Sequence, residues 1–504
     1  MTGFRLFLAT ISLCLCIFMM VLDYSIANVC IPYIAGDLGV SNNQGTWVIT
    51  SFSVGNAIAL PLTGWMTLRF GQIRIMVGAT LLFTLTSFLC GASPNLSVLV
   101  MLRFLQGYFA GPLIALSQSL IQSIYPKEKK NLALAFWNIV ALVGPILGPI
   151  IGGWIVMDYT WPWIFYINIP VGIFCAVTIY VLMRDRESTI VRNPVDYVGM
   201  FLLATTVTCL QIILDKGEQL DWWRSDIINA LAIISVLSII YFLVWEKDEK
   251  HPIVDFQLFK NRNFFLSTMM CCISYSLIIG TVVITPLWLQ ANMGYLAYNA
   301  GLAVSTMGIA PFFLMISLPY LMKKTRARNL LALSYVFFAI AFFVFADFTS
   351  AASFAYIAST RLLLGFGLLF FLTPLVALAM SGVPSEKLNS ASGIFHFFRL
   401  FMGGVGASMF TTYWERRSIL HHHNQIEYIN AYSEKIRNFQ GYLSGLGFHG
   451  KQPLAVLNDM VDHEAALLAV NDLHWVCGWV CIVFFFMSFL FKKSKTPLTI
   501  PPSE

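Results

Sequence analysis

The sequence predicts an all-α membrane protein of fourteen spans, arranged as two six-helix bundles with two additional transmembrane helices between them. Three observations predict it. First, 58% of the 504 residues are hydrophobic and only 11% are charged, with a mean hydropathy of +0.74. A water-soluble domain carries roughly 25% charged residues, so this chain lacks the polar surface that water demands. Second, the apolar residues gather into runs near the ~20 residues that a helix needs to cross the hydrocarbon core. Third, Lys and Arg fall into alternate connecting segments, the asymmetry that orients membrane helices.

Walking the chain with that ruler places spans near 6–34, 46–67, 75–91, 97–124, 131–157, 163–183, 195–215 and 225–245. Six more follow near 263–291, 298–322, 329–348, 354–382, 390–414 and 473–491. The first begins behind Arg5 and runs past Asp23 to about Ile34 with no small-residue cleavage site. It reads as a retained span rather than a signal peptide. The first and ninth are long enough to tilt or to leave the bilayer.

With the N-terminus placed in the cytoplasm, 21 of the 31 Lys and Arg fall on the inner side. They are Arg5, Arg69 and Arg74, Lys127 to Lys130, Arg184 to Arg192, Lys247 to Arg262, Lys323 to Arg328, Lys387, and Lys492 to Lys495. Seven fall outside, five of them in one long loop, and Arg103, Arg361 and Arg399 lie within spans. Both termini are therefore expected in the cytoplasm. The net charge of +6 is spent on this asymmetry and carries no nucleic-acid footprint. All ten cysteines lie in apolar runs, which suggests neither a disulfide framework nor a zinc site.

An internal repeat supports two related halves. Arg103 precedes Gly107 and Pro112 in the fourth span, and Arg361 precedes Gly365 and Pro374 in the twelfth. Repeats of this kind enclose a midplane substrate site in secondary transporters. The expected units are an N-terminal bundle over 1–194, two linker spans over 195–262, and a C-terminal bundle over 263–504 that carries a long external loop at 415–472.

Several segments carry a resemblance. The chain resembles the major facilitator superfamily, and within it the fourteen-span drug:proton antiporters of the EmrB type. GWMTLRFGQIR at 64–74 is similar to the loop motif between spans two and three, with Gly64, Arg69 and Gly71 matching, but Leu68 stands where an acidic residue belongs. LVMLRFLQG at 99–107 is similar to the span-four motif built around its arginine, and GPILGPIIGG at 144–153 to the antiporter motif of span five. LDYSIANVCIP at 22–32, WPWIFYINIPVG at 161–172, LQIILDKGEQLDWW at 210–223 and HPIVDFQLF at 251–259 resemble the EmrB branch. So do the segments 374–404 and 411–418. The resemblance implies the major facilitator fold and export of amphipathic compounds against entering protons. It also implies, for Gram-negative members, a periplasmic adaptor protein and an outer-membrane channel as partners.

Individual residues then acquire candidate roles. Asp23 is the one acidic residue well inside a span, where charge costs a few kcal/mol on insertion scales. A carboxylate there suits proton coupling; the plainer reading is a hydrogen bond to a neighbouring helix. Arg103 keeps its charge and needs a partner or a water-filled cavity, and the resemblance links it to proton exchange; the alternative is snorkelling to the surface. Gly144, Gly148, Pro149, Gly152 and Gly153 strip one helix face of bulk, with Pro145 as a second bend, and the resemblance implies a gate there. Asn28, Trp47, Asn56, Gln118 and Asn168 are candidates for the substrate cavity, or for interhelical bonds. His396 and Arg399 share a helical face and join them.

Other features exclude functions. The only Gly-Lys pair, Gly450-Lys451, precedes Gln452, so the phosphate-binding loop pattern is missing, which argues against direct ATP drive from this chain. No metal-ligand or nucleophile constellation appears, no cofactor is called for, and no enzyme chemistry is expected. His421 to His423 read as a solvated run in the long loop, because adjacent side chains point apart. That loop mixes charge with Tyr428, Tyr432, Phe439, Leu443 and Phe448, and is expected to fold into short helices and to dock the adaptor. A dedicated exporter of one natural product, such as a siderophore or fatty acid, is the alternative within transport. An uptake permease is disfavoured by 144–153, and a receptor by Asp23 and Arg103.

Overall fold

The computed structural model describes residues 3–126, 130–187, 196–249, 253–314, 317–384, 387–427, 429 and 433–492. The side chains of Leu68 and Pro145, and Lys127, Lys129 and Arg192, lie outside the described residues. Fourteen helical segments follow the predicted order, and no strand occurs among the described residues. They are α1 (Gly3–Asp37), α2 (Trp47–Phe70), α3 (Gln72–Gly91), α4 (Leu96–Ile124), α5 (Lys130–Asp158), α6 (Asn168–Met183) and α7 (Tyr197–Lys216). Then come α8 (Asp226–Asp248), α9 (Arg262–Ala291), the interrupted α10 (Ala297–Ser305, Ile309–Leu314 and Leu318–Lys324), α11 (Ala327–Phe345), α12 (Phe354–Met380), α13 (Leu388–Glu427) and α14 (Gln452–Met487). Among the described residues twelve helical segments are long and apolar enough to cross a membrane; α2 and α5, with 24 and 29 residues, stand in the two remaining places.

The helices start where side chains can satisfy their free N–H groups. Asn95 accepts from Val98 N ahead of α4, Asp196 from Gly199 N ahead of α7, Asn261 from Asn263 N ahead of α9, and Ser353 from Tyr356 N ahead of α12. Ser41 and Gln44 form a capping box in the turn before α2. The turn between α2 and α3 passes through Gly71 at φ +95°. There Glu187 accepts from Ile73 N at 2.9 Å and Arg74 N at 3.1 Å. A carboxylate from the end of the sixth span thus caps the loop in which Leu68 replaces an acidic residue.

In α1–α6, α2 packs on α4, α3 on α4 and α6, and α1 on α4, α5 and α6. In α9–α14, α9 packs on α12 and α13, α11 on α12 and α14, and α13 on α14. Between these groups α5 meets α10, α2 meets α13, and α1 meets α9. The pair α7–α8 attaches through α7, which touches both α2 and α13. α8 turns most of itself outward, with Ile233, Val236, Leu237, Ile240 and Val244 exposed and only 17% of its apolar window buried. In water such a stripe would be a liability; in a bilayer it is the lipid-facing surface.

The last two spans correct the sequence reading. The long loop expected at 415–472 is largely helix: α13 runs on to Glu427 and α14 begins at Gln452, with one short helix, Glu434–Gly445, between them. Polarity ends an apolar window without ending a helix. The polar residues of one helix instead face those of the other. Arg417 pairs with Asp472, His421 with Asp472 at 2.7 Å, and His422 with Asp462 at 3.2 Å. His421 and His422 are therefore interhelical contacts rather than a solvated run.

Candidate functional site

Asp23 sits midway along α1 with no exposed surface, and Arg103 of α4 reaches it through Nη1. Three helices complete the shell. Gln106 Nε2 donates to Asp23 Oδ1 at 3.1 Å, Asn168 Nδ2 donates to the same oxygen at 2.7 Å, and both also donate to Ser87 Oγ, at 2.5 and 3.2 Å. Arg103 donates from Nη1 to Gln106 Oε1 at 2.7 Å and from Nε to the Val48 carbonyl at 3.1 Å. Phe52 and Phe165 flank its guanidinium, with ring centroids at 4.4 and 5.3 Å. Arg103, Gln106 and Ser87 are fully buried, and Asn168 nearly so. A buried ion pair needs hydrogen bonds to its remaining groups; this one draws them from α2, α3, α4 and α6, and Arg103 Nη2 is left without one among the described residues.

Asp23 and Arg103, predicted separately, thus form one unit. Asn168, predicted as cavity lining, belongs to that unit, and Gln106 and Ser87 join it unannounced. Gln106 was findable in principle, because it stands three residues from Arg103 on one helical face.

The glycine face of α5 lies directly against α1. A β-carbon on Gly144 would come within 3.0 Å of Val21, one on Gly148 within 2.7 Å of Ser25, and one on Gly152 within 2.9 Å of the Ile26 carbonyl. Gly153 faces the other way, 2.6 Å from the Tyr298 Cα at the start of α10, and the buried Pro149 presents its carbonyl to Gly301. One helix therefore holds close contacts to both groups of helices, and those to α1 begin at Val21 and Ser25, on either side of Asp23.

Further toward the C-terminal end of α1, the groups meet in a small apolar cluster. Ala27 and Ile31 of α1 and Ile49 of α2 pack with Ile279, Val283 and Leu287 of α9 and Ala407 of α13. Tyr24 and Tyr275 border it, and Arg399 lies over the Tyr275 ring at 5.2 Å. Arg399 Nε and His396 Nδ1 have no hydrogen-bond partner. Asn28 and Asn56 are buried, each with an unpaired side-chain carbonyl, and Gln118 is half-buried. Trp47 is engaged elsewhere: its Nε1 donates to the Asp215 carbonyl at 3.0 Å.

Asp215 lies in the last turn of α7, inside the 210–223 segment, and no individual role for it is legible from sequence. Its carboxylate accepts from Thr50 of α2 at 2.7 Å, from Gln211 at 3.0 Å, and from Ser408 of α13. The turn after it holds Asp221 and Trp222 at φ +54° and +51°, with Arg416 of α13 on the Trp222 ring at 5.4 Å and bonded to Glu218 at 2.6 Å. Strain of this kind persists only where surrounding contacts fix it. Here those contacts tie the first additional span to helices of both groups.

A profile of the Major Facilitator Superfamily matches residues 13–407. The chain belongs to that superfamily. Its architecture is accordingly that of a multi-pass membrane transporter. The fatty acid resistance protein FarB of Neisseria gonorrhoeae is 41% identical, over 94% of this chain and 93% of its own. The multidrug export protein EmrB of Haemophilus influenzae is 40% identical over 94% and 93%, and that of Escherichia coli K12 39% identical over 95% and 94%. Among solved structures, a peptide transporter POT in complex with sulfate superposes with a TM-score of 0.65 over 96% of each chain at 13% identity. A bacterial homologue of the lysosomal transporter Spinster superposes at 0.62 and 12% identity, over 99% and 100%. At such identities they share the fold alone.

Proposed function

We propose that this superfamily member is a proton-coupled exporter of amphipathic small molecules, a multidrug efflux protein of the cytoplasmic membrane with both termini in the cytoplasm. The observation that carries the reading is the buried Asp23–Arg103 unit. Deprotonated, Asp23 holds α1 to α4 and α6 through three donors. Protonated, it loses its charge and its attraction for Arg103, and α1 is released. α1 also carries Ala27 and Ile31 of the apolar cluster that joins α1–α2 to α9 and α13, and it lies on the glycine face of α5, along which it would slide. Proton arrival at Asp23 is thereby converted into movement of the helix that closes the central path. The two EmrB relatives support the substrate class by name.

In this reading 1–194 and 263–504 rock against each other, and 195–262 is a strut held by Asp215. Gly144, Gly148, Pro149, Gly152 and Gly153 form the gate surface, while Arg399, His396, Asn28 and Asn56 face the cargo. Gln118, at the predicted inner end of α4, lines its entrance. Trp47 serves the strut. The paired ends of α13 and α14 are the surface for a periplasmic adaptor, and through it an outer-membrane channel. A dedicated fatty acid exporter is the second reading, favoured by the 41% identity to FarB.

Asp23→Asn tests the first. Dye accumulation in cells carrying the variant should match that in cells without the protein, with membrane levels unchanged. Wild-type efflux that a protonophore still abolishes would remove Asp23 from coupling.

A further inference from the structure

Arg361 occupies the place in α12 that Arg103 occupies in α4, each seven residues past the first residue of its helix. Both are fully buried. Their surroundings differ. Arg361 Nη2 donates to the hydroxyl of Thr285 on α9, and among the described residues Nε and Nη1 have no partner. Among the described residues no carboxylate lies within ion-pair distance of it. The guanidinium instead lies over the Phe345 ring at 4.4 Å. Two further buried groups with unpaired ring nitrogens surround the same ring: Trp288, at 6.1 Å between centroids, with a free Nε1–H, and His474, stacked at 4.0 Å. His474 Nδ1 bonds the Val470 carbonyl at 2.7 Å, which leaves Nε2 free. Trp288 stands one turn from Thr285 on the same face of α9.

A buried charge without a counter-ion costs several kcal/mol, and a buried N–H without an acceptor about 1–3 kcal/mol. Here one cation and three donor nitrogens without an acceptor among the described residues (two on Arg361, one on Trp288) gather around a single aromatic ring with no acid among them. We propose that Arg361, Thr285 and Trp288 form a binding site for one monovalent anionic group. The guanidinium neutralises its charge, the Trp288 N–H orients it, and the Phe345 and His474 rings keep competing water away. The group is an inorganic anion such as chloride, or the carboxylate of an amphipathic cargo. Only the second source rests on the exporter reading; the site itself does not.

The test uses the purified full-length chain in detergent, in chloride-free gluconate buffer, with chloride and decanoate as the two probes. Thermal unfolding should shift upward with saturating dependence on one probe. Arg361→Gln should abolish the shift, and Trp288→Phe, which removes the N–H and keeps the ring, should weaken apparent affinity about tenfold, the equivalent of one charge-assisted hydrogen bond. A chloride response that decanoate neither matches nor competes with assigns the site to a resident inorganic anion. Decanoate that competes with chloride assigns it to cargo. The proposal is overturned if neither probe stabilises the wild type, or if Arg361→Gln responds as the wild type does. Should Arg361→Gln not survive purification, unchanged affinity in Trp288→Phe overturns it. Because no transport is measured, failure here leaves the coupling role of Asp23 standing or falling on its own assay.

Discussion

Arg103 and Arg361 stand at corresponding places in the two related groups of helices, and the protein treats them in opposite ways. Around Arg103 the side chains of Asp23, Gln106, Asn168 and Ser87 form one polar network, with Arg103 Nη2 left without a partner among the described residues. Around Arg361 the neighbours are aromatic, and among the described residues its one hydrogen bond goes to the Thr285 hydroxyl. The difference teaches that a repeat in sequence conserves position more readily than chemistry. One half holds its buried cation against a carboxylate of its own, while the other holds a buried cation with no carboxylate beside it among the described residues.

The comparison can be broken at several points. The largest effect is expected in the first half. Asp23→Leu should destabilise the purified protein by about 3–5 kcal/mol, because it strands Arg103 without a counter-ion. Asp23→Leu with Arg103→Met should recover most of that loss, as replaced buried pairs do. Equal stability of the single and double variants in denaturant titrations would show that the pair is not the unit described.

Next in size, Thr285→Asp would give the second half the counter-ion it lacks. A gain of about 1.5–3 kcal/mol is expected for a new charge-assisted bond, together with loss of any anion-dependent stabilisation. A variant that gains nothing and still responds to anions contradicts the contrast between the halves.

Smaller again is the effect of bulk on the α5 face. Gly148→Val should cost about 1–3 kcal/mol through overpacking against Ser25 and should reduce efflux more than stability. Gly78→Val in α3 is the control, since a β-carbon there meets nothing within 4 Å. If dye efflux falls equally in both, the α1–α5 contact has no special part.

The smallest effect concerns α7. Asp215→Asn and Ser408→Ala should each cost about 1 kcal/mol, and a double-mutant cycle should return a coupling of roughly 0.5–1 kcal/mol. Strict additivity would mean that α7 does not tie α13 to α2.

The sequence made the helices and their order legible, because hydropathy over ~20 residues is a property of a window and needs no partner. It marked Asp23 and Arg103 as residues that needed explaining, since a lone charge in an apolar run is costly wherever it lies. It could not join them. They are 80 residues apart in the chain, and nothing local says that α1 faces α4. The same distance hides Glu187 at the Gly71 turn and Thr50 on Asp215. Trp47 and Asn168 show the converse ambiguity: polarity in a span suggests either a cavity wall or an interhelical bond, and the side chains of these two bond to neighbouring helices. The ends of α13 and α14 were misplaced because hydropathy reports the edge of the bilayer, and a helix is free to ignore that edge.

That freedom has a mechanical consequence. At 1.5 Å per residue, the 40 residues of α13 extend about 60 Å, roughly twice the hydrocarbon thickness of a bilayer. Its first half lies against α2 and α9, and its last turns are braced to α14 by Arg417, His421 and His422. Two braced rods anchored in this way form a lever with its fulcrum in the membrane. A tilt of about 10° at the α2–α13 contact would sweep the free tip through roughly 5 Å over a 30 Å arm. Motion too small to notice among packed side chains would be displayed, magnified, well clear of the lipid.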